Sequence, residues 1–163
     1  SIAPALRVGY LIANWEVLSR ILPYKTDAGS GSLEQMALAE FCKKNFNSHI
    51  KTLKIKLQEK SEAICYALDK YFGSSAEYQK PDGGIFLWVD MNEKVDTSRL
   101  YELALKDGVA INPGNEWSIN KSGRHKMRLC FGNPSIKEID EGIKRLAIIC
   151  RKEFGIPTNI ANL

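Results

Sequence analysis

The sequence predicts an α+β domain in which a small antiparallel or mixed sheet carries its helices on one face and follows a long helix. Three observations predict this fold class. One apolar stripe at three- and four-residue steps runs through residues 47–72, short apolar stretches separated by turn residues follow Gly73, and a capped amphipathic helix comes last. A chain of 163 residues is long enough to bury a core of its own.

The first third of the chain predicts a strand and two helices. The opening "SIAPALRVGY" continues into "LIA" as a short buried strand would, and Trp15 to Ile21 forms a short helix that Pro23 ends. "TDAGSGS" is typical of a loop. Ser32 and Gln35 then form a capping box, which predicts a helix that continues to about Lys44.

A second helix is predicted after "NFN", from residue 47 to about residue 72. Its apolar stripe has one break, at Lys60. The stripe residues are Ile50, Leu53, Leu57, Ile64, Ala67 and Tyr71. A long helix with one narrow apolar stripe usually bridges two parts of a protein, so we expect three segments: 1–45, the connecting helix 46–72, and the α+β domain 73–163.

The remaining elements have clear boundary signals. "GGIFLWVD" is apolar on both faces, as expected for a central strand covered on two sides. "DTSRLYELALKDG" predicts a helix from the N-cap Asp96 to the stop at Gly108. "VAINPG" predicts a strand that ends in a turn, a loop follows through "NEWSINKSGRHK", and "MRLCFG" predicts another strand. A capping box at Ser135 and a stop at Gly155 bound the last helix, whose buried face is predicted to be Ile136, Ile139, Ile143, Leu146 and Cys150.

Composition excludes several classes of protein. No apolar run approaches the length of a membrane span and the first residues lack a secretory signal layout, so we expect a cytoplasmic protein. The four cysteines lack metal-site spacing, so we expect no metal and treat them as small apolar residues. The lysines between Lys43 and Lys60 favour a solvated helix face over a nucleic-acid site.

Two arginines interrupt apolar strands. Arg128 shares a face with Cys130 and points away from Leu129, while Arg7 lies among apolar neighbours in the opening stretch. A guanidinium in such a place requires an anion, and its planar fork suits a carboxylate. The anion is either a ligand or a structural partner such as Asp90 or an acid of the last helix.

The whole chain resembles the fold-type I pyridoxal-phosphate enzymes of the class I/II aminotransferase group. "SIAPALRVGY" is similar to the stretch that follows the cofactor-binding lysine of that family, and "PDGGIFLWVD", "DGVAINPG" and "MRLCFGNPSIKEIDEGIKRL" resemble its later strands and final helix. Within the group the chain looks most like the α-aminoadipate and kynurenine aminotransferase branch, which includes the aminotransferase-like half of MocR-type transcription regulators.

This resemblance implies specific roles. Arg7 matches the arginine that binds the phosphate of pyridoxal 5'-phosphate, and Arg128 matches the arginine that binds the substrate α-carboxylate. Gly29 and Ser30 match a loop near the partner subunit's site, so they are candidate contacts across a homodimer. Segment 1–45 then matches part of the large cofactor-binding domain, and 73–163 matches the small C-terminal domain. The implied substrates are an amino acid and a 2-oxo acid.

The chain departs from the family at the position of the catalytic lysine, which would stand immediately before Ser1. The opening residues look buried, so we expect a piece of a longer polypeptide that is inactive alone and whose first stretch is its least well anchored part. Three functions remain open: part of an aminotransferase, the effector-sensing half of a transcription regulator, and a cofactor-free α+β interaction module.

Overall fold

The computed structural model describes residues 2–119 and 122–159. The chain divides into two compact units, unit 1 (Ser1–Lys54) and unit 2 (Ile55–Leu163).

Unit 1 begins with a 3₁₀ helix, Pro4–Leu6, where the sequence predicts a strand. The strand prediction is wrong because Pro4 fixes φ at a helical value and has no N–H to offer a neighbouring strand. The predicted short helix is confirmed as α1, Trp15–Ile21, and the Asn14 side chain caps it by accepting from Val17 N at 3.1 Å. A 3₁₀ helix, Leu22–Tyr24, follows α1 and contains Pro23, the residue predicted to end the helix. None of the described residues of unit 1 is fully buried.

The helix α2 is one continuous helix, Ser32–Phe72, rather than the two that the sequence predicts. The residues at the expected break include two asparagines, which are only weakly unfavourable in a helix, and neither glycine nor proline occurs within the 41 residues. The predicted capping box also differs. In a capping box, the backbone N–H and the side chain of Gln35 would both bond to Ser32. Instead, Gln35 N donates to Gly31 O and Gln35 Nε2 donates to Ser30 O.

The sheet of unit 2 is antiparallel and has four strands in the order β1-β2-β4-β3. The strands are β1, Ala76–Tyr78; β2, Phe86–Met91; β3, Asn112–Pro113; and β4, Lys126–Cys130. In the register of the two central strands, Phe86 pairs with Cys130 and Trp88 pairs with Arg128. The predicted α+β class with a small sheet after a long helix is therefore confirmed.

One face of the sheet forms the core with the helices, and the other face is open. Leu87, Val89, Met127 and Leu129 are buried together with residues of α2 and of two later helices, α3 (Thr97–Lys106) and α4 (Ile136–Phe154). The opposite face of β2 is 40% exposed at Phe86 and 41% exposed at Trp88. The expectation that this strand is covered on both faces is therefore wrong, although the strand is central.

The predicted helix ends of unit 2 are confirmed. Asp96 caps α3 by accepting from Ser98 N and Arg99 N, and Ser135 and Glu138 form both bonds of a capping box at the start of α4. Gly155 ends α4 in the left-handed conformation. The predicted buried face of α4 is correct except for Ile136, which is half exposed because it lies in the first turn, at the end of the helix.

No helix within the described residues is both long enough and apolar enough to span a bilayer.

Candidate functional site

Arg128 lies on the open face of the sheet, as the alternation of β4 predicts. Met127 and Leu129 point into the core, whereas Arg128 and Cys130 do not. Cross-strand pairing places Arg128 between Trp88 of β2 and Asn112 of β3. The strand therefore holds a cation in the middle of a partly aromatic surface.

Two aromatic rings sandwich the Arg128 guanidinium. Its Cζ atom lies 4.0 Å from the centroid of the Phe86 ring and 4.0 Å from the centroid of the Trp117 ring. On its edge, Nη2 donates to Asn112 Oδ1 at 3.3 Å. Stacking on both faces and a bond on one edge define the plane of the guanidinium.

Arg128 has no carboxylate partner among residues 2–119 and 122–159. Its Nε is buried and has no hydrogen-bond partner. The structural partner considered from the sequence, Asp90, instead contacts Lys126 Nζ and His125 Nε2, the latter at 3.2 Å. Since no described carboxylate neutralises this partly buried cation, the site is suited to an anion from outside the described part of the chain.

The segment that carries Trp117 is held by a close backbone contact. Trp117 ends a 3₁₀ helix, Gly114–Trp117, which begins directly after β3. A Cβ atom on Gly114 would lie 2.5 Å from Gly123 O, and a Cβ atom on Gly123 would lie 2.4 Å from Gly114 O. Only glycine therefore permits the two backbone segments to approach so closely.

Arg7 follows the first 3₁₀ helix and is exposed. It is the one non-glycine residue with positive φ, 53°, in the described part of the chain, and such conformations are often found at functional sites. Its guanidinium forms no ion pair with any described residue, so it is available to an anion. Arg7 belongs to unit 1 and Arg128 to unit 2.

Gly29 and Ser30 lie in the predicted loop before α2. Gly29 has φ of 90°, and its N–H donates to Asp27 Oδ1 at 2.6 Å. Ser30 O accepts from Gln35 Nε2 at 2.8 Å, which ties the loop to the first turn of α2. Their contact with a partner subunit stays a prediction.

A groove of about 940 Å³ in unit 2 does not include Arg128 among its lining residues. The arginine that lines it, Arg145, is already paired with Glu141 Oε1 and Asp107 O, both at 2.8 Å. Within the described ranges no three histidine, cysteine or acidic side chains come together as a metal site would require. We therefore take the surface around Arg128 as the candidate functional site.

Sequence reasoning identified Arg128 but missed Phe86, Trp117 and Asn112. Phe86 carried a signal, since it alternates with the buried Leu87 and therefore lies on the second face of its strand. Its partner on β4 depends on the register, which the sequence does not reveal. Trp117 lies in a segment that the sequence predicts only as a loop.

Comparison with known proteins relates the chain to one family over most of its length. The family described as "Aminotransferase class I and II" matches residues 3–146. An uncharacterized aminotransferase of Saccharolobus solfataricus is 32% identical over 156 residues, which are 94% of this chain and 39% of that protein. The chain thus spans about two fifths of that relative.

A regulator and a solved structure are similar over the same range. The uncharacterized HTH-type transcriptional regulator YisV of Bacillus subtilis is 31% identical over 93% of this chain and 32% of its own length. The structure of LysN, an α-aminoadipate aminotransferase from Thermus thermophilus complexed with N-(5'-phosphopyridoxyl)-L-leucine, has a TM-score of 0.81 at 28% identity. This match covers 92% of the present chain and 39% of LysN.

Proposed function

Because the chain belongs to the class I and II aminotransferase family, we propose that it is the C-terminal part of a pyridoxal-phosphate-dependent aminotransferase. The complete protein would transfer an amino group between an amino acid and a 2-oxo acid. The observation that carries this proposal is Arg128, a stacked guanidinium without a carboxylate partner among the described residues, on the open face of a sheet.

Arg128 would bind the α-carboxylate of the substrate. Of the five N–H groups of a guanidinium, Nε is buried and one Nη2 hydrogen serves Asn112, so three N–H groups remain. Paired N–H donors in one plane match the two oxygens of a carboxylate. Holding that group at a fixed position orients the α-carbon of the amino acid for reaction.

The residues present fit the cofactor in part. Arg7, exposed, unpaired within the described residues and held in a left-handed conformation, would contribute one cation to the phosphate of pyridoxal phosphate. When bound, the cofactor supplies the electron sink that amino-group transfer needs. The family's lysine would precede Ser1, so we propose that residues 1–163 alone are inactive.

Residues 1–45 would belong to the cofactor-binding domain, 46–72 to the connecting helix, and 73–163 to the small domain. Three large apolar side chains among the described residues of unit 1 are more than four-fifths exposed: Tyr10, Ile12 and Tyr24. A surface of that kind is typical of one that further polypeptide covers. We extend the proposal to a cytoplasmic homodimer in which Gly29 and Ser30 lie near the partner's site.

The test compares Arg128→Ala and Arg128→Lys with the unchanged complete gene product that contains this sequence. Both variants should lose substrate affinity, because alanine removes the cation and lysine cannot form the planar fork. The Arg128→Ala loss should be about 2–5 kcal/mol. The affinity for pyridoxal phosphate, measured by titration and followed by absorbance, should remain unchanged. Equal loss of substrate and cofactor binding would contradict the role.

The similarity to YisV supports a second candidate, the effector-sensing half of a transcription regulator. In that case the same arginine would bind the carboxylate of an effector without turnover. Sequencing of the gene upstream of Ser1 separates the candidates, because a DNA-binding helix-turn-helix segment there favours the regulator. A complete protein that turns over amino acids and has no such segment favours the enzyme.

A further inference from the structure

The open face of the sheet holds the Arg128 guanidinium in a clamp, which we define as Phe86, Trp117 and Asn112. Both ring centroids lie 4.0 Å from Cζ, and Asn112 Oδ1 accepts from Nη2. The rings exclude water from both faces of the cation, and the amide occupies one edge. What remains is the part of the guanidinium that a carboxylate binds in two-pronged fashion.

The two rings are held in different ways. Phe86 belongs to β2 and is fixed by strand pairing opposite Cys130. Trp117 belongs to the 3₁₀ helix Gly114–Trp117, whose position depends on the close contact of Gly114 with Gly123. Trp117 thus completes a cation site from a segment outside the sheet.

Trp117 contributes little to the folded core. Its side chain is 55% exposed and is not part of the core cluster of unit 2. A large aromatic residue that is this exposed, while one ring face covers a guanidinium, is poorly explained by hydrophobic burial. Its contact with Arg128 is the physical reason that the structure provides for a tryptophan at this position.

We propose that Trp117 is a positioning residue for carboxylate recognition, acting through Arg128. With Phe86 it holds the guanidinium in one plane, so that a carboxylate ligand meets preoriented donors and loses less binding free energy to ordering the arginine. For the ligand class, an amino acid or 2-oxo acid carboxylate, this inference rests on the proposed function.

The test uses the complete gene product and the variants Trp117→Leu, Trp117→Phe and Trp88→Leu. Leucine removes the ring, whereas phenylalanine retains one. Trp88 lies on the same face and is 41% exposed, but it makes no stacking contact with Arg128 in the described structure, so it is the matched control. Thermal unfolding of all variants checks that each is folded.

Two measurements test the effect of the clamp on carboxylate binding. Binding of succinate, a carboxylate without an amino group, is followed by calorimetry, and transamination is followed by steady-state kinetics. Trp117→Leu should raise the succinate Kd and the KM for the amino donor by about 2- to 30-fold, the range of one cation–π contact. The kcat should remain unchanged, because binding is lost equally in ground and transition states. Trp117→Phe should restore most of the affinity.

Five outcomes are decisive. Weaker binding in Trp117→Leu, with Trp117→Phe and Trp88→Leu close to the unchanged protein, supports the clamp. Unaltered succinate binding in Trp117→Leu, or an equal loss in Trp88→Leu, overturns it. No succinate binding by the unchanged protein also overturns it. Succinate binding that depends on Arg128 and Trp117, in a protein without transaminase activity, retains the clamp and rejects the proposed enzyme.

Discussion

Lys60 is the one charged residue in the apolar stripe of α2, and the structure explains its position. Its Nζ donates to the carbonyl oxygen of Gly132 at 3.0 Å and to that of Asn133 at 3.2 Å. These carbonyls belong to the turn between β4 and α4. One lysine therefore connects the long helix to the segment that follows the strand of Arg128.

Replacing Lys60 by methionine should lower the free energy of unfolding by about 1–2 kcal/mol, because two bonds from a charged donor are lost while the apolar stem remains. The matched control is Lys56→Met, an exposed lysine of the same helix, for which we expect a change within about 0.5 kcal/mol. Urea unfolding measures both. Equal effects of the two substitutions would show that the Lys60 bonds contribute no stability.

Residue-scale sequence reasoning reached the right side chains but not their partners. The alternation of β4 predicted that Arg128 and Leu129 lie on opposite faces of the strand, because alternation is a local property of a strand. Asp90 was a possible partner of Arg128 and proves to contact Lys126 and His125. That choice depends on register between strands that are distant in sequence, which no local pattern contains.

Among the elements, the capping box of α4 makes a prediction for acid stability. The backbone N–H of Ser135, which donates to Glu138 Oε2 at 2.7 Å, lowers the pKa of Glu138 below its ordinary value, and the Ser135 hydroxyl contributes. A carboxyl whose pKa is lower in the folded protein stabilises it above the unfolded pKa. This stabilisation is lost as the pH falls through the folded pKa.

Glu138→Gln should therefore be less stable than the unchanged chain at pH 7, and the difference should narrow as the pH falls below about 4. Urea midpoints measured from neutral to acidic pH follow the effect. Glu93→Gln, in an exposed turn after β2, is the control and should change the free energy of unfolding at pH 7 by less than about 0.5 kcal/mol. A difference that does not depend on pH would mean that the carboxylate charge plays no part in the cap.

A second element-scale prediction compares two glycines, Gly114 in the turn after β3, where a Cβ atom would clash, and Gly142 in α4, where it would not. Gly114→Ala should destabilise unit 2 by about 1–3 kcal/mol, because the new Cβ would lie 2.5 Å from Gly123 O. Gly142→Ala, within α4 and with no atom within 4 Å of its Cβ position, should stabilise the chain by about 0.5–1 kcal/mol. Thermal unfolding measures both. An unchanged or higher melting temperature in Gly114→Ala would refute the close contact.

Helix ends in unit 2 were predictable because caps involve residues three or four apart, as at Asp96 and Ser135. The continuous α2 was not, because two asparagines weaken a helix too little to end it. The stretch "VAINPG" was predicted as a strand that ends in a turn, and the strand β3 has two residues, Asn112–Pro113. Its length depends on how much of β4 remains available for pairing, which is a tertiary property.

At the scale of the whole molecule, the cysteines report on the packing of unit 2. Burial raises the pKa of the Cys150 thiol to about 12 and also raises that of Cys65, whereas Cys130 is exposed on the open face of the sheet. The expectation that cysteines act as small apolar residues is thus confirmed for Cys65 and Cys150. It is wrong for Cys130, whose position on β4 points away from the core.

Iodoacetamide at pH 8 should therefore modify Cys130 rapidly and leave Cys65 and Cys150 unmodified until urea unfolds the unit. Because the two buried thiols share one core, they should become reactive over the same range of urea concentration. Mass spectrometry of peptides after short labelling pulses measures each site. Labelling of Cys150 before unfolding, or two separate transitions, would contradict a single cooperative core.

The one-sided sheet also has a consequence for protein engineering. Side chains that pack the core and side chains that surround Arg128 alternate along the same strands, so they belong to two nearly independent sets of positions. Libraries at Phe86 and Asn112, which contact the Arg128 guanidinium, can therefore be screened for altered carboxylate ligands without compensating stabilising mutations. In this fold, the residues of the binding surface can change while the residues of the core stay the same.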